Sequence, residues 1–339
     1  MSYEARYHFG LGVRLADVVD FLELLGCRKE STSLFFGGPN TVMAFGWWET
    51  RDYQSRTGLY LHIDKIDDGH AIYLRSRAGR SYWDVRKLNE IVRALRKRFG
   101  GYFQTDFGRN RYFPLPEHMP SPSEAGCELA LGQFESALQL ARIYLNARQF
   151  TGSPFSILPS DFHSHLTALQ VQLDPHLLSN HLLLPFFVSA MEDYYKTAFI
   201  AIFRDSLKKE SVLRNARLSA HDLSEISNGN LGVEEAFAKS LSFQSPRLIV
   251  EHFRRLDSQI DLLSVQRKPI ARQTVSIFDS LEQLVMRRHA FIHQGHIGAD
   301  LTDKALERWL DHLSVVGRRV HGHFAATYGW PIDAQTPTV

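Results

Sequence analysis

The stretch Leu284–Gly295, with the sequence LVMRRHAFIHQG, forms the end of a long predicted helix. On a helical wheel the apolar side chains of this helix, Ile292 among them, share one arc, and Arg288 falls near the middle of that arc. An arginine on an apolar face is costly unless an opposite charge meets it. His289 and His293 are four positions apart, so we expect their side chains to stack on the flank of the same arc. The stretch therefore predicts one guanidinium and two imidazoles near a helix end.

These side chains suit the cleavage of a phosphodiester without a metal ion. An imidazole with a pKa near 6.5 can accept or donate a proton at neutral pH. A guanidinium can bind a phosphate through two hydrogen bonds and stabilise the charge of the transition state. RNA carries its own nucleophile, the 2′-hydroxyl, so the reaction requires no serine or cysteine.

The C-terminal half of the chain is predicted to be mainly helical. A long helix is expected from Leu184 to Leu207, with Pro185 in its first turn, where a missing N–H group does little harm. The polar segment Ser219–Gly232 is predicted to be a loop. The other predicted helices are Glu128–Gln149, Ser160–Val171, Val233–Leu241, Pro246–Leu256, Arg272–His293 and Leu301–Tyr328. This succession of long and short helices is typical of a bundle.

Arg288, His289 and His293 place a polar residue directly after an arginine and a histidine five positions after it. This spacing resembles the motif of the HEPN ribonuclease family, in which four to six residues separate the arginine from the histidine. Phe187–Lys196 is similar to the first helix of that family, in which an acidic residue precedes aromatic ones. Ser242–Pro246 is similar to a segment in the middle of the HEPN domain. The turn after His293 is similar to the turn that closes the motif helix in that family.

The resemblance implies a homodimer in which two motif helices face each other across a twofold axis. His293 would then be the general acid or base, Arg288 would hold the scissile phosphate, and His289 would orient or polarise it. Arg287 would add a phosphate contact, and Glu192 would brace Arg288 from the first helix. The implied activity is metal-independent cleavage of RNA through the 2′-hydroxyl, which leaves a cyclic phosphate and needs no cofactor. Phage defence or a toxin system, with a regulatory partner protein, is the implied setting.

Other interpretations of the motif remain open at this point. A dimer that binds RNA or a nucleotide in the same cleft without turnover would carry the same residues, and so would a family member that has lost its activity. Arg288 and His293 could also be a surface ion pair and a helix-end histidine. His289, His293 and His296 have a spacing that could hold zinc, with His321 and His323 nearby in sequence, but no cysteine accompanies them and Arg288 would repel the cation.

Residues 1–118 are predicted to form an α+β domain of no recognised family. Short or alternating apolar runs predict strands at residues 7–13, 33–36, 42–48, 58–63 and 70–74. Periodic apolar positions predict helices at Leu15–Leu25 and Tyr82–Phe99, and two glycines end the second helix. The expected fold class is an α+β N-terminal domain followed by an all-α HEPN-like bundle.

A proline-rich segment, residues 114–126, is predicted to link the two domains. Residues 119–170 would then contain the linker and connecting helices, and residues 171–330 the helical domain. A length of 339 residues fits two domains, because a single core rarely grows so large.

A basic stretch lies between Arg75 and Arg111, with eleven basic residues against three acidic ones. Aromatic residues are interleaved with these charges, a mixture that suits RNA. The alternative is a solvated helix face, with Phe99 and Phe103 in the core. The candidate RNA contacts on the predicted helix are Arg86, Lys87, Arg93, Arg96, Lys97 and Arg98.

Composition limits the other classes of function. The formal net charge is only +2, so affinity for nucleic acid would have to come from a local patch. The two cysteines, Cys27 and Cys127, are too far apart in sequence for a CxxC pair, and buried thiols in a reducing compartment are expected. The N-terminus has no signal-peptide pattern, and no long uncharged apolar run is present, so we expect a cytoplasmic protein without a membrane partner.

Overall fold

The structure is a computed structural model. It describes residues 2–331 except residues 11, 32–37, 49–54, 56, 68, 78–79, 150–174, 215 and 271–274. The chain divides into two compact units, Met1–Leu129 and Ala130–Val339. The division falls within helix α3, Pro122–Gln149.

In the described residues of the first unit, seven strands form one antiparallel sheet in the order β2-β3-β4-β5-β1-β6-β7. The strands are β1 Glu4–His8, β2 Arg28–Glu30, β3 Thr41–Trp47, β4 Leu59–Ile66, β5 Gly69–Ser76, β6 Tyr102–Thr105 and β7 Gly108–Arg109. Two helices accompany the sheet, α1 Leu15–Leu24 and α2 Tyr82–Phe99. Without the β2–β3 hairpin, the connectivity is the β-α-β-β-α-β arrangement in which both helices cover one face of a sheet.

The core of the first unit lies between that face and the two helices. Tyr7 of β1 and Phe103 of β6 are fully buried there, together with Leu22 of α1 and Leu88 of α2. Side chains alternate across each strand, so the neighbours of these residues in β1 and β6 lie on the opposite face, away from α1 and α2.

The second unit is helical apart from an isolated bridge in its described residues. After α3 its helices are α4 Pro175–Arg204, α5 Lys209–Leu213, α6 Ala220–Ser227, α7 Val233–Lys239, α8 Pro246–Leu256, α9 Leu262–Arg267, α10 Ile277–Gln294 and α11 Asp303–Tyr328. Phe199 of α4 lies at the centre of an aromatic core, with ring centroids 5.5 Å from Phe243 and 5.7 Å from Phe253. Phe253 in turn stacks on Phe324 of α11, so one apolar cluster joins α4, α8 and α11.

Several predicted elements have the predicted bounds, or nearly so. Helix α2 and helix α8 begin and end where the sequence places them, and β3, β4, β5 and α1 differ from prediction by three residues or fewer at either end. The prediction of buried thiols is also confirmed, since Cys27 and Cys127 are both free and buried. Burial raises the pKa of the Cys27 thiol to about 11.

Besides the start of α10, which is Ile277 and not Arg272, four predicted boundaries are wrong. The first strand is Glu4–His8 and not residues 7–13, because the alternation that buries Ala5 and Tyr7 begins earlier. The predicted linker ends early, because residues 122–126 are the first turn of α3, where Ser121 and Glu124 cap each other's backbone N–H groups.

The other two wrong boundaries lie in the second unit. Helix α4 begins at Pro175, so Pro185 lies inside it and not in its first turn. The predicted loop Ser219–Gly232 contains α6, which Ser219 and Asp222 cap in the same way as α3. The predicted strand 33–36 and helix Ser160–Val171 lie outside the described residues. No described helix combines the length and the apolar character needed to cross a membrane.

Candidate functional site

The predicted motif lies at the C-terminal end of α10. Ser276 caps the start of this helix by accepting a hydrogen bond from the N–H of Asp279 at 3.1 Å. The helix ends at Gln294, where Gly295 adopts a left-handed conformation with φ of 63°. A residue with a Cβ adopts that conformation at a cost, so the glycine explains why the helix stops one residue after His293.

Arg288 follows the buried side of α10 but lies one turn beyond its buried residues. Ile277, Leu281 and Leu284 are buried, whereas Arg288 is half-buried. Its Nε atom is shielded from solvent and has no hydrogen-bond partner among the described residues. A buried guanidinium N–H without an acceptor is unfavourable, so the described chain leaves this atom of Arg288 unsatisfied.

The brace of Arg288 by Glu192 stays a prediction, because a single copy of the chain shows no polar contact between them in its described residues. Both side chains are half-buried, and the described residues include no ion pair or hydrogen bond between them. Helices α4 and α10 do pack against each other. The pairing came from the HEPN resemblance, which gives the order of the helices but not the distance between two side chains.

His289 and His293 lie together on the exposed side of α10. Their ring centroids are 4.4 Å apart, and both side chains are exposed, as the four-residue spacing predicts. Ile292 is 47% exposed and Met286 is 64% exposed, so two apolar side chains lie uncovered beside the imidazoles. Ile292, which the helical wheel places on the apolar arc, is therefore not covered within a single copy of the chain. We call Met286, Arg288, His289, Ile292 and His293 the motif face.

Arg287 lies on the opposite flank of α10 and not on the motif face. Its guanidinium is 2.6 Å from the carboxylate of Asp300 and lies over the ring of Trp309 at 5.5 Å. Arg287 holds the pKa of Asp300 below its usual value, chiefly through the hydrogen bond. An arginine already engaged by a carboxylate is poorly placed to add the predicted phosphate contact.

A polar cavity of about 320 Å³ lies on the Arg287 flank, between α10 and α11. The Ser280 hydroxyl is buried at the wall of this cavity and lies 2.8 Å from Nδ1 of His312. The other ring nitrogen of His312, Nε2, has no partner among the described residues. Burial lowers the pKa of His312. Neither Arg288 nor the imidazoles of the motif face line this cavity, so in a single copy of the chain the motif face is open surface.

The turn after α10 is fixed by buried polar groups at the start of α4. His181 Nε2 accepts the N–H of Gly298 at 3.0 Å while its Nδ1 lies 2.8 Å from the carbonyl of Leu177. Asn180 donates to the carbonyl of Leu301 at 2.6 Å. These contacts hold the middle and the end of the segment between α10 and α11. Sequence reasoning missed them, because an isolated Asn-His pair gives no signal of what it contacts.

The zinc interpretation finds no geometric support in the described residues. They contain no group of three or more His, Cys, Asp or Glu side chains that could hold a metal ion. His323 is engaged elsewhere, since its Nε2 accepts the N–H of Asp261 at 3.0 Å.

The predicted RNA contacts of the first unit lie on the outer side of α2. Arg86 pairs with Glu90 at 3.0 Å, Lys87 lies 5.3 Å from the centre of the Trp47 ring, and Arg93 lies over Tyr112. The side chains of Arg96, Lys97 and Arg98 are exposed. The alternative interpretation is confirmed for the rings, because Phe103 is in the core and Phe99 packs against it.

Comparison with known proteins adds no relative. No family model matches the chain, and neither a curated protein nor a solved structure matches it.

Proposed function

We propose that this chain is a metal-independent endoribonuclease with a HEPN-like helical domain, whose active site forms where the motif faces of two copies meet. The observation that carries the proposal is the composition of the motif face. It combines two imidazoles 4.4 Å apart with an arginine whose buried Nε lacks an acceptor in the described chain. An RNA phosphate would pair with the positive charge of that guanidinium.

The chemistry follows from these groups. One imidazole accepts the proton of the 2′-hydroxyl as that oxygen attacks the adjacent phosphorus. A second, protonated imidazole gives its proton to the departing 5′-oxygen, so the products are a 2′,3′-cyclic phosphate and a 5′-hydroxyl. Arg288 binds the phosphate and stabilises the charge that develops on its oxygens. The roles assigned to His293 as acid or base and to His289 as an orienting group come from the HEPN resemblance.

Dimerisation would complete the site. The exposed Met286 and Ile292 offer apolar contact beside the histidines, and a second copy would cover them. A twofold axis near Ile292 would bring two copies of Arg288 and His293 into one cleft, so that one His293 serves as base and the other as acid. Phage defence, a toxin system and a regulatory partner follow from the resemblance alone, whereas a cytoplasmic location is proposed from the two free, buried cysteines.

The activity test uses labelled RNA in EDTA. We expect the unaltered chain to cleave it, and Arg288→Ala and His293→Ala to lower the rate by about 100-fold or more each. His296→Ala and Arg254→Ala are matched controls, because both side chains are exposed and lie outside the motif face. Cleavage that persists in His293→Ala, or that EDTA abolishes, would contradict the proposal.

A second arm tests the dimer and the alternative function. Ile292→Asp should convert a dimer into a monomer in sedimentation equilibrium and abolish cleavage together, because a charge would be buried in the interface. RNA that binds to the unaltered dimer in EDTA and is released intact would instead identify a non-catalytic RNA-binding protein.

A further inference from the structure

The face of the N-terminal sheet that points away from α1 and α2 carries a set of rings and cations. The registers place Arg6 of β1 opposite Tyr73 of β5, and His8 opposite Tyr102 of β6. His62 of β4 lies opposite Tyr73 on its other side. We define the open sheet face by Arg6, His8, Tyr60, His62, Tyr73, Arg75, Arg77, Tyr102 and Arg109.

The rings on this face form two stacks, and within each stack the ring planes are nearly parallel. His62 and Tyr73 have centroids 4.9 Å apart with planes 7° apart, and His8 and Tyr102 have centroids 4.7 Å apart with planes 13° apart. The first stack joins β4 to β5 and the second joins β1 to β6, so they lie about two strand spacings apart across the sheet, roughly 9–10 Å. They are also offset by two residues, about 7 Å, along the strands. These rings are half-buried. Tyr73 lies on the strand between those of His62 and Arg6, and Tyr102 on the strand between those of His8 and Arg109, so a base would stack on the outer, imidazole side of each group.

Each ring group also carries a guanidinium. Arg6 lies 4.9 Å from the centre of Tyr73, Arg109 lies 4.0 Å from the centre of Tyr102, and Arg77 lies 4.5 Å from the centre of Tyr60. Cation–π contacts of this kind hold an arginine flat beside a ring without neutralising its charge.

The charge of the face is not balanced internally. Arg75 pairs with Glu4 at 3.1 Å, but Arg6, Arg77 and Arg109 have no carboxylate partner among the described residues. The Nε of Arg6 is shielded from solvent and has no acceptor in the described chain. Burial, with the nearby arginines, lowers the pKa of His8, so its imidazole is neutral at pH 7 and stacks as an uncharged ring.

We infer that the open sheet face binds single-stranded nucleic acid, with bases stacked on the Tyr73 and Tyr102 groups and phosphates held by Arg6, Arg77 and Arg109. Aromatic platforms between phosphate-binding cations are the general solution for unpaired strands, because every base offers a flat face. A duplex hides its base faces and could use only the charges. The inference does not depend on cleavage by the motif face.

The test is a fluorescence-anisotropy titration of the full chain with labelled 12-mers of deoxythymidine and of uridine and with a 12-bp duplex. The uridine arm uses His293→Ala, so that cleavage does not interfere. Both single strands should bind at least about tenfold more tightly than the duplex, because stacking contributes to each unpaired base. Relative binding of the two single strands shows whether the face distinguishes RNA from DNA.

Variants locate the site. Tyr73→Ala and Arg6→Ala should each weaken single-strand binding by about tenfold, while Tyr73→Phe retains it because the ring remains. Arg254→Ala and Lys304→Ala are controls in the second unit, where both side chains are exposed, and should stay within about threefold because salt screens exposed charges. No single-strand binding, preference for the duplex, or equal loss in these two controls would overturn the inference.

A crosslinking measurement keeps the inference falsifiable if a variant fails to fold. The unaltered chain is irradiated with an oligonucleotide that contains 5-iodouracil, and the crosslinked peptides are identified by mass spectrometry. Crosslinks to Tyr60, Tyr73 or Tyr102 support the inference. Crosslinks confined to α2 or to the second unit contradict it.

Discussion

At the scale of single residues, Asp84 is the buried carboxylate on which the start of α2 depends. It is 0% exposed and accepts hydrogen bonds from the N–H of Ser81 at 2.7 Å, the hydroxyl of Ser55 at 2.6 Å and the N–H of Gly58 at 3.1 Å. One side chain thus caps a helix and also fixes the chain just before β4. The sequence marks only the cap, through the spacing of Ser81 and Asp84.

We predict that Asp84→Ala lowers the free energy of unfolding by about 3 kcal/mol, because several buried donors lose a charged acceptor at once. Urea denaturation followed by circular dichroism measures the change. The matched control is Glu90→Ala on the same helix, an exposed partner of Arg86, which should cost less than about 1 kcal/mol. Equal losses in the two variants would show that the Asp84 contacts contribute nothing beyond a surface pair.

At the scale of elements, capping explains which helix starts were predictable. A serine followed three positions later by an acidic residue precedes four helices, in the pairs Ser81 and Asp84, Ser121 and Glu124, Ser219 and Asp222, and Ser276 and Asp279. Three of these starts differ from prediction. Prolines before α3 and polar residues around α6 favour a linker and a loop, and the predicted start of α10, Arg272, lies five residues before the capped one.

Other element boundaries could not be predicted from local sequence. Pro185 is a strong helix breaker in isolation, yet it lies inside α4. The residues around it, Leu184, Phe187 and Val188, are almost fully buried. Burial of that many apolar atoms outweighs the lost hydrogen bond, and it arises only once the whole unit has folded.

The contact between α3 and α11 gives the second prediction about stability. A Cβ added to Gly317 of α11 would lie 2.9 Å from the ring of Phe134 and 3.1 Å from Leu131. Gly317→Ala should therefore lower the free energy of unfolding by about 1–2 kcal/mol, because overpacking exceeds the gain in helix propensity. Gly322→Ala lies on the same helix with nothing within 4 Å and should raise that free energy by about 0.5–1 kcal/mol. Thermal denaturation measures the stability of both variants. A Gly317→Ala variant that is more stable than the unaltered chain would show that Phe134 moves aside without strain.

At the scale of the whole molecule, the two candidate sites differ in how far the sequence reveals them. The histidine pair of the motif face depends on a four-residue spacing within one helix, so its geometry was predictable. The open sheet face gathers residues from β1, β4, β5, β6 and β7, and only the strand register places them together. A register error of one residue moves every side chain to the other face, and the first strand was predicted several residues too late.

Buried histidines in both units make stability depend on pH. Burial is the largest cause of a lowered pKa at five of them, His8, His62, His252, His312 and His323. A lowered pKa means that the folded chain binds these protons less tightly than the unfolded chain, whose imidazoles titrate near 6.5. The stabilisation is thus present above pH 6.5 and is lost as the pH falls toward the lower folded values.

We therefore predict that the free energy of unfolding falls between pH 7.5 and pH 5.5, with each such histidine adding at most about 1.4 kcal/mol per pH unit to the slope. Urea titrations at several pH values measure the slope. His252→Gln should flatten it, because an amide N–H can still donate to the carbonyl of Ser242, which lies 3.0 Å from the imidazole, but cannot titrate. A chain that becomes more stable on acidification over this range would mean that the folded imidazoles bind protons more tightly than free ones, so that their burial does not govern the acid response.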